Sequence, residues 1–171
     1  MRYTRDVSRS RAVRAGKASM PRFYAVESAS TVTGWTADHR FAVRPSEVDA
    51  FARSLAHRLG VPGVEDGGWA NNEERQKILE AIQEDLASHR GRGVVIPGMC
   101  QTPVVHAVAH AINAHLGNAG VTVNYIVPPE GTALQKESLR TLVEEMKAGK
   151  VKALFILGGN PVLTAQGLGF A

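Results

Sequence analysis

Three short runs decide the fold: Gly93-Val-Val-Ile-Pro97, Val121-Thr-Val-Asn-Tyr-Ile-Val127 and Val151-Lys-Ala-Leu-Phe-Ile-Leu157. Each is apolar and rich in β-branched residues, as buried parallel strands are. Between the first two, Thr102-Pro103 offers a cap and a first helical position, and Gly117 a stop. Val105, Val108, Ile112 and Leu116 recur at helical spacing between those signals. Between the second and third, the segment 135–148 is amphipathic, with Leu139, Leu142, Val143 and Met146 on one face. Strand, helix, strand, helix, strand in that order predicts right-handed crossovers. It predicts an open, mostly parallel, Rossmann-like α/β sheet with helices on both faces.

Upstream, Arg22-Phe-Tyr-Ala-Val26 and His39-Arg-Phe-Ala-Val43 read as two further short strands. Glu27-Ser-Ala-Ser30 and the Thr- and Gly-rich Thr31–Thr36 between them read as loop. Pro45-Ser-Glu47 opens a helix whose apolar positions are Val48, Phe51, Leu55 and Leu59, closed by Gly60. Asn71 or Asn72 caps a second helix, with Glu73 and Glu74 at its positive end and Ile78, Ile82 and Leu86 as its buried stripe. Residues 22–171 thus read as a single α/β domain, and 1–21 as an extended basic arm without apolar periodicity. A doubly wound sheet would continue with another helix beyond Gly169-Phe170-Ala171, so the domain is expected to be incomplete, an interior slice of a longer protein.

Composition excludes several classes. A hydrophobic fraction of 44% with 21% charged residues is ordinary for a globular chain. No window approaches the roughly 18 consecutive apolar residues of a membrane span. The arginine-rich start has no apolar stretch after it, so it does not read as a secretory signal. Cys100 is the sole cysteine, which excludes an iron–sulfur cluster, a Cys-rich zinc site and an internal disulfide within these residues. The net charge of +4 is uneven: residues 1–22 carry seven Arg or Lys against Asp6 and the rest of the chain is slightly acidic. A basic arm could meet nucleic acid, but no aromatic platform or docking motif accompanies it, and the reading is disfavoured.

Four constellations could carry chemistry. Gly158-Gly159-Asn160-Pro161 follows a predicted parallel strand, where open α/β sheets bind ligands; its amides could approach an anion and Asn160 a base or pterin edge. The alternative is a tight turn needing a left-handed glycine. Gly98-Met-Cys-Gln101 is the equivalent loop after the preceding strand, beside a helix start suited to an anion. His106 and His110 share one helix face at i and i+4, but Ala107 stands where a metalloprotease needs Glu, so they read as boundary histidines. Asp38-His-Arg40 with Glu47 and Asp49 could contact a ligand or be solvated caps. No residue is assigned as catalytic or as a metal ligand.

Several stretches together resemble the molybdopterin oxidoreductase family. They are Tyr24-Ala-Val-Glu-Ser28, Thr33-Gly34, Ala37-Asp-His-Arg40, Val43-Arg-Pro-Ser-Glu47, the run Val105–Asn118, and Met146-Lys-Ala-Gly-Lys-Val151 leading into Ile156-Leu-Gly-Gly-Asn-Pro-Val162. Within that family the chain most resembles the large iron–sulfur subunit of alternative complex III, a quinol-oxidising membrane complex. The resemblance implies that Glu27, Ser28, Asp38, His39, Gly158, Gly159, Asn160 and Pro161 stand where loops hold the molybdopterin guanine dinucleotide. Arg44-Pro-Ser-Glu-Val48 departs from the Arg-Pro-Gly-Thr-Asp of many members, removing an aspartate associated with guanine. The resemblance therefore implies a scaffold portion of an electron-transfer subunit, with no redox centre of its own and with clusters carried elsewhere in the parent chain. Its partners would be the rest of that chain and other subunits of a complex at the periplasmic face; the isolated fragment would be cytoplasmic. The other implied reading is the dinucleotide-binding portion of an active molybdenum oxidoreductase.

Overall fold

Asn72 caps its helix as its side chain allows: Oδ1 accepts from the Arg75 amide at 2.9 Å. Asn72 and the other caps set the helices of a computed structural model that describes residues 2–12, 20–126 and 135–169. Contacts divide the chain into two compact units, Met1–Tyr125 and Ile126–Ala171. The first contains α1 (Arg2–Ser10), β1 (Tyr24–Glu27), α2 (Val32–Trp35), β2 (His39–Ala42), α3 (Val48–Arg58), α4 (Glu73–Ser88) and α5 (Pro103–His115). The second contains α6 (Gln135–Lys147) and α7 (Pro161–Thr164). β1 and β2 pair in parallel, Tyr24 opposite His39 through Glu27 opposite Ala42, and α2 lies in the connection between them.

The core of the first unit forms where the helical stripes meet. Phe51, Leu55 and Ala56 of α3 lie with Leu79 and Ile82 of α4 and with Val108 and Ile112 of α5, joined by Val43, Val61, Trp69 and Leu116. α3 packs against both other helices and so stands at the centre. Trp69 meets Phe51 edge-on, ring centroids 5.0 Å apart, and the Arg75 guanidinium lies 4.8 Å over the indole. Buried Ser54 donates to Asp66 and accepts from the Trp69 amide at 3.1 Å, folding the 60–72 loop onto α3. In the second unit Val143 is buried, flanked on α6 by half-buried Leu139, Leu142 and Met146.

The chain is therefore mixed α and β with two parallel strands, and several expectations need correcting. The residues 93–97, 121–126 and 151–157, expected as strands, form no ladder among the described residues; Val127 lies outside them. A strand is completed by its partner, and in all three runs apolar side chains remain exposed: Ile96 78%, Ile126 81%, Phe155 86% and Leu157 92%. The first run nevertheless keeps a strand's alternation, Gly93, Val95 and Pro97 half-buried, Val94 and Ile96 outward. Its inward residue is held by a side chain: Asn113 of α5 accepts from Val95 N at 2.9 Å and donates to Val95 O at 2.7 Å.

Arg2–Ser10 is helical where an extended arm was expected; 13–19 of that arm lie outside the described residues. The helix escaped a reading based on buried stripes because its side chains 5–9 are exposed, while arginine is intrinsically a good helix former. Val32–Trp35 forms a helical turn in the expected loop because Thr31 caps it, its Oγ1 accepting from Gly34 N at 3.0 Å. Among the described residues no helix is long and apolar enough to cross a membrane.

Candidate functional site

The β1–β2 pair carries four of the expected site residues at its two ends: Glu27 and Ser28 at the carboxyl end of β1, and Asp38 and His39 at the amino end of β2, where His39 stands opposite Tyr24. Glu27 closes β1 and is fully engaged. Its Oε1 accepts from Arg40 Nε at 2.5 Å and from Thr31 N at 3.3 Å, and its Oε2 from Thr31 Oγ1 at 2.6 Å. The Glu27 carboxylate lies against Gly34: a Cβ at that position would stand 2.0 Å from Oε1, so a larger residue there would push the Glu27 side chain aside. Ser28 is exposed in the bend that follows. His39 stacks on Tyr24, ring centroids 5.0 Å apart, which occupies one face of the imidazole.

Asp38 is the most heavily bonded of these residues. Arg11 grips it with both terminal nitrogens, Nη1 to Oδ2 at 2.8 Å and Nη2 to Oδ1 at 2.5 Å, and the Phe23 amide donates to Oδ2 at 2.7 Å. These donors hold the carboxyl far below the usual carboxylate range. An open pocket of about 370 Å³ lies beside it, lined by Ser30, Gly34, Trp35, Ala37, Asp38 and Arg40. The Trp35 ring there is 80% exposed.

Glu47 and Asp49 resolve differently. Glu47 accepts from the Arg44 amide at 3.0 Å and from Arg75 Nη2 at 2.8 Å, which ties the Pro45 turn to α4. It is a structural acid. Asp49 pairs along α3 with Arg53, Nε to Oδ2 at 3.9 Å. On the far side of β1, Asp85 of α4 accepts from the Tyr24 hydroxyl and from Arg22 Nη1 at 2.5 Å. Burial raises the Asp85 carboxyl, but the tyrosine and arginine donors outweigh it and the net displacement is downward.

The glycine loops form turns and a helix cap. Gly98 closes a turn, its carbonyl accepting from Gln101 N at 3.0 Å, and Cys100 beyond it is exposed. Gly158 has φ of +73°, the left-handed conformation that the tight-turn alternative required. Gly159 is free of close neighbours. Asn160 uses its side-chain oxygen as a cap: Oδ1 accepts from Leu163 N at 3.3 Å at the start of α7, which begins at Pro161. Gly98 belongs to the first compact unit and 158–161 to the second. His110 faces Tyr125, Nδ1 3.0 Å from the hydroxyl, and no group of three or more His, Cys, Asp or Glu converges among the described residues.

Sequence reasoning missed Arg11, Thr31, Gly34 and Trp35. Arg11 carried no signal, because its partner is 27 residues away. Thr31 and Trp35 were hidden by composition that reads as loop.

The acidic cluster gives the fold a defined acid sensitivity. Asp38, Glu27, Glu47 and Asp66 are each lowered, the largest causes being the donors from Arg11, Thr31, Arg44 N and Ser54 respectively. A lowered folded pKa stabilises the native state above the unfolded value of about 4 and loses that contribution as pH falls through the folded value. The melting temperature is expected to be flat down to about pH 5 and to fall below it. Asp38→Asn should flatten the acid limb while lowering the plateau; an unchanged acid limb would remove Asp38 from the account.

The chain matches no protein-family model, and no curated protein matches it.

Proposed function

We propose that this chain is a scaffold portion of a molybdopterin oxidoreductase-like, iron–sulfur subunit of a quinol-oxidising complex, without a redox centre of its own. The observation that carries the reading is that residues implied to hold the pterin dinucleotide are bonded within their own chain. Glu27 is engaged by Arg40 and Thr31, Asp38 by Arg11 and the Phe23 amide, and Asn160 by Leu163 N. An acceptor already satisfied by the protein gains little from a ligand, which must first displace the donor. The partners on this reading are the rest of a parent chain and neighbouring subunits, to which exposed Val94 and Ile96 and the run 154–157 would offer apolar surface.

The finer fold of that family, an open and mostly parallel Rossmann-like sheet, is part of the proposal. Two features support it. The outward and inward alternation along 93–97 is that of a strand with one covered face. Thr122 Oγ1 donates to Gly93 O at 2.5 Å, so the first and second runs start side by side at opposite ends of a connection containing α5. Parallel neighbours joined by a helix start in that way.

Purified protein is expected to contain no stoichiometric molybdenum, iron or pterin, measured by elemental analysis and by fluorescence of the acid-released pterin. Unit occupancy by any of them would overturn the scaffold reading. It would favour a second one, a dinucleotide-binding portion of an active molybdenum oxidoreductase, for which the open pocket beside Asp38 and the uncovered Trp35 ring speak.

A further inference from the structure

The way Arg11 is delivered to Asp38 goes beyond an ordinary surface ion pair. Its guanidinium presents two parallel N–H donors to the two carboxylate oxygens, at 2.8 and 2.5 Å, and Nη1 also donates to Pro21 O at 2.8 Å. Guanine and pterin rings share a 2-amino-4-oxo pyrimidine edge. Its ring N–H and amino N–H are the same pair of parallel donors, and such an edge would bind a carboxylate in the same two-pronged way. Asp38 lines the pocket with Trp35, whose exposed indole is a stacking surface for a planar ring, and with Arg40, held by Glu27. Arg11 follows α1, whose side chains 5–9 are exposed, so the fork comes from a surface segment and not from the core.

We propose that Arg11 is an internal plug: its guanidinium occupies the Asp38 carboxylate in place of the 2-amino-4-oxo edge of a guanine or pterin ring, and so denies that carboxylate to such ligands of the open Trp35 pocket. The proposal rests on the reading that the residues around Asp38 derive from a pterin-nucleotide site. It adds the device that keeps that site empty. The Phe23 amide also donates to Oδ2, at 2.7 Å, and is expected to keep the carboxylate oriented when Arg11 is removed.

The experiment titrates GMP, neopterin and AMP into the wild-type chain, Arg11→Ala and Arg11→Lys by calorimetry, with melting temperatures as a check on folding. AMP lacks the donor pair and serves as the control; GMP against neopterin tells which ring the pocket prefers. If Arg11 holds the carboxylate for most of the time, removing it tightens GMP or neopterin binding about tenfold or more, since apparent affinity scales with the open fraction. Arg11→Lys, which keeps the charge but loses the fork, should gain part of that. Adding Asp38→Asn to either variant should cancel the gain.

Equal affinities in wild type and both variants overturn the plug. If those equal affinities are measurable, the cofactor-free scaffold reading falls with it; if no ligand binds any of the three, the scaffold reading survives alone. Tight binding by the wild type that still improves in Arg11→Ala upholds the plug and removes the scaffold reading. A gain shared by AMP, or one that survives Asp38→Asn, also overturns the plug, because it would not run through the donor pair.

Discussion

Trp69→Ala is expected to lower the unfolding free energy by about 3–5 kcal/mol, the range for removing a large aromatic from a core. Trp69 is 4% exposed. Its ring closes the space between α3 and α4 by meeting Phe51 edge-on and lying under Arg75. Truncation loses the buried area, leaves a cavity beside Phe51 and takes the ring from under Arg75, which also donates to Glu47 at 2.8 Å and to the Trp69 carbonyl at 3.3 Å. The loss therefore spreads to the Pro45 turn. Trp69→Phe is the informative control. The indole nitrogen is buried without a hydrogen-bond partner in the protein, so replacing it removes an unsatisfied donor while keeping an aromatic against Phe51. That variant should cost much less than the alanine. Urea unfolding with linear extrapolation measures both. A loss under about 1 kcal/mol for the alanine would mean that Trp69 is peripheral to the core.

The second large effect belongs to Asn113. It is 2% exposed on a helix of otherwise apolar inward residues, where an amide is costly unless every atom is used. Here Oδ1 accepts from Val95 N and from Asn118 Nδ2, at 2.9 and 3.2 Å, and Nδ2 donates to Val95 O at 2.7 Å. Asn113→Ala strands three polar groups. Each left buried without a partner costs about 1–3 kcal/mol, so a total near 3 kcal/mol or more is expected. Asn118 has no slack to compensate, since its own Oδ1 is already buried and unpaired. Asn113→Asp keeps the acceptor and loses the donor, and should fall between wild type and alanine. Amide hydrogen exchange supplies the second readout. Val95 should lose its protection in Asn113→Ala, while amides in the middle of α3 keep theirs up to the lowered global stability. Equal protection of Val95 in wild type and Asn113→Ala would show that something other than this side chain holds the 93–97 run.

Much of the helical skeleton could be read directly. Pro45, Asn72 and Thr102-Pro103 start helices for local steric and hydrogen-bonding reasons, and Val105, Val108, Ile112 and Leu116 all proved buried. Local signals of this kind need no knowledge of the rest of the chain. Leu79, the most buried residue of α4, was missed beside the expected Ile82 because both positions border the same stripe and only the packing of α3 selects between them. Tyr24–Glu27 and His39–Ala42 were legible as strands, and their parallel register came from the structure.

The candidate site was legible in part. Glu27, Ser28, Asp38 and His39 stood out as polar residues around two strands, and the parallel register puts the first two and the last two at opposite ends of the ladder. What each does depends on who reaches it: Arg11 for Asp38, Arg40 and Thr31 for Glu27, Tyr24 for His39. Asn160 was legible as a turn residue, and its cap on Leu163 N came from the structure.

By itself, then, the amino-acid order determined where α3, α4 and α5 begin and end, which of their faces turn inward, and that a lone cysteine cannot hold a cluster. Those are matters of steric preference, capping and valence within a few residues. Tertiary structure alone decided which extended runs find a ladder, that Asn113 stands in for a missing strand partner, and that a basic arm residue closes on Asp38. Hydrogen bonds of that kind join groups 18 and 27 residues apart, and spacing along a chain carries no information about who will meet across it.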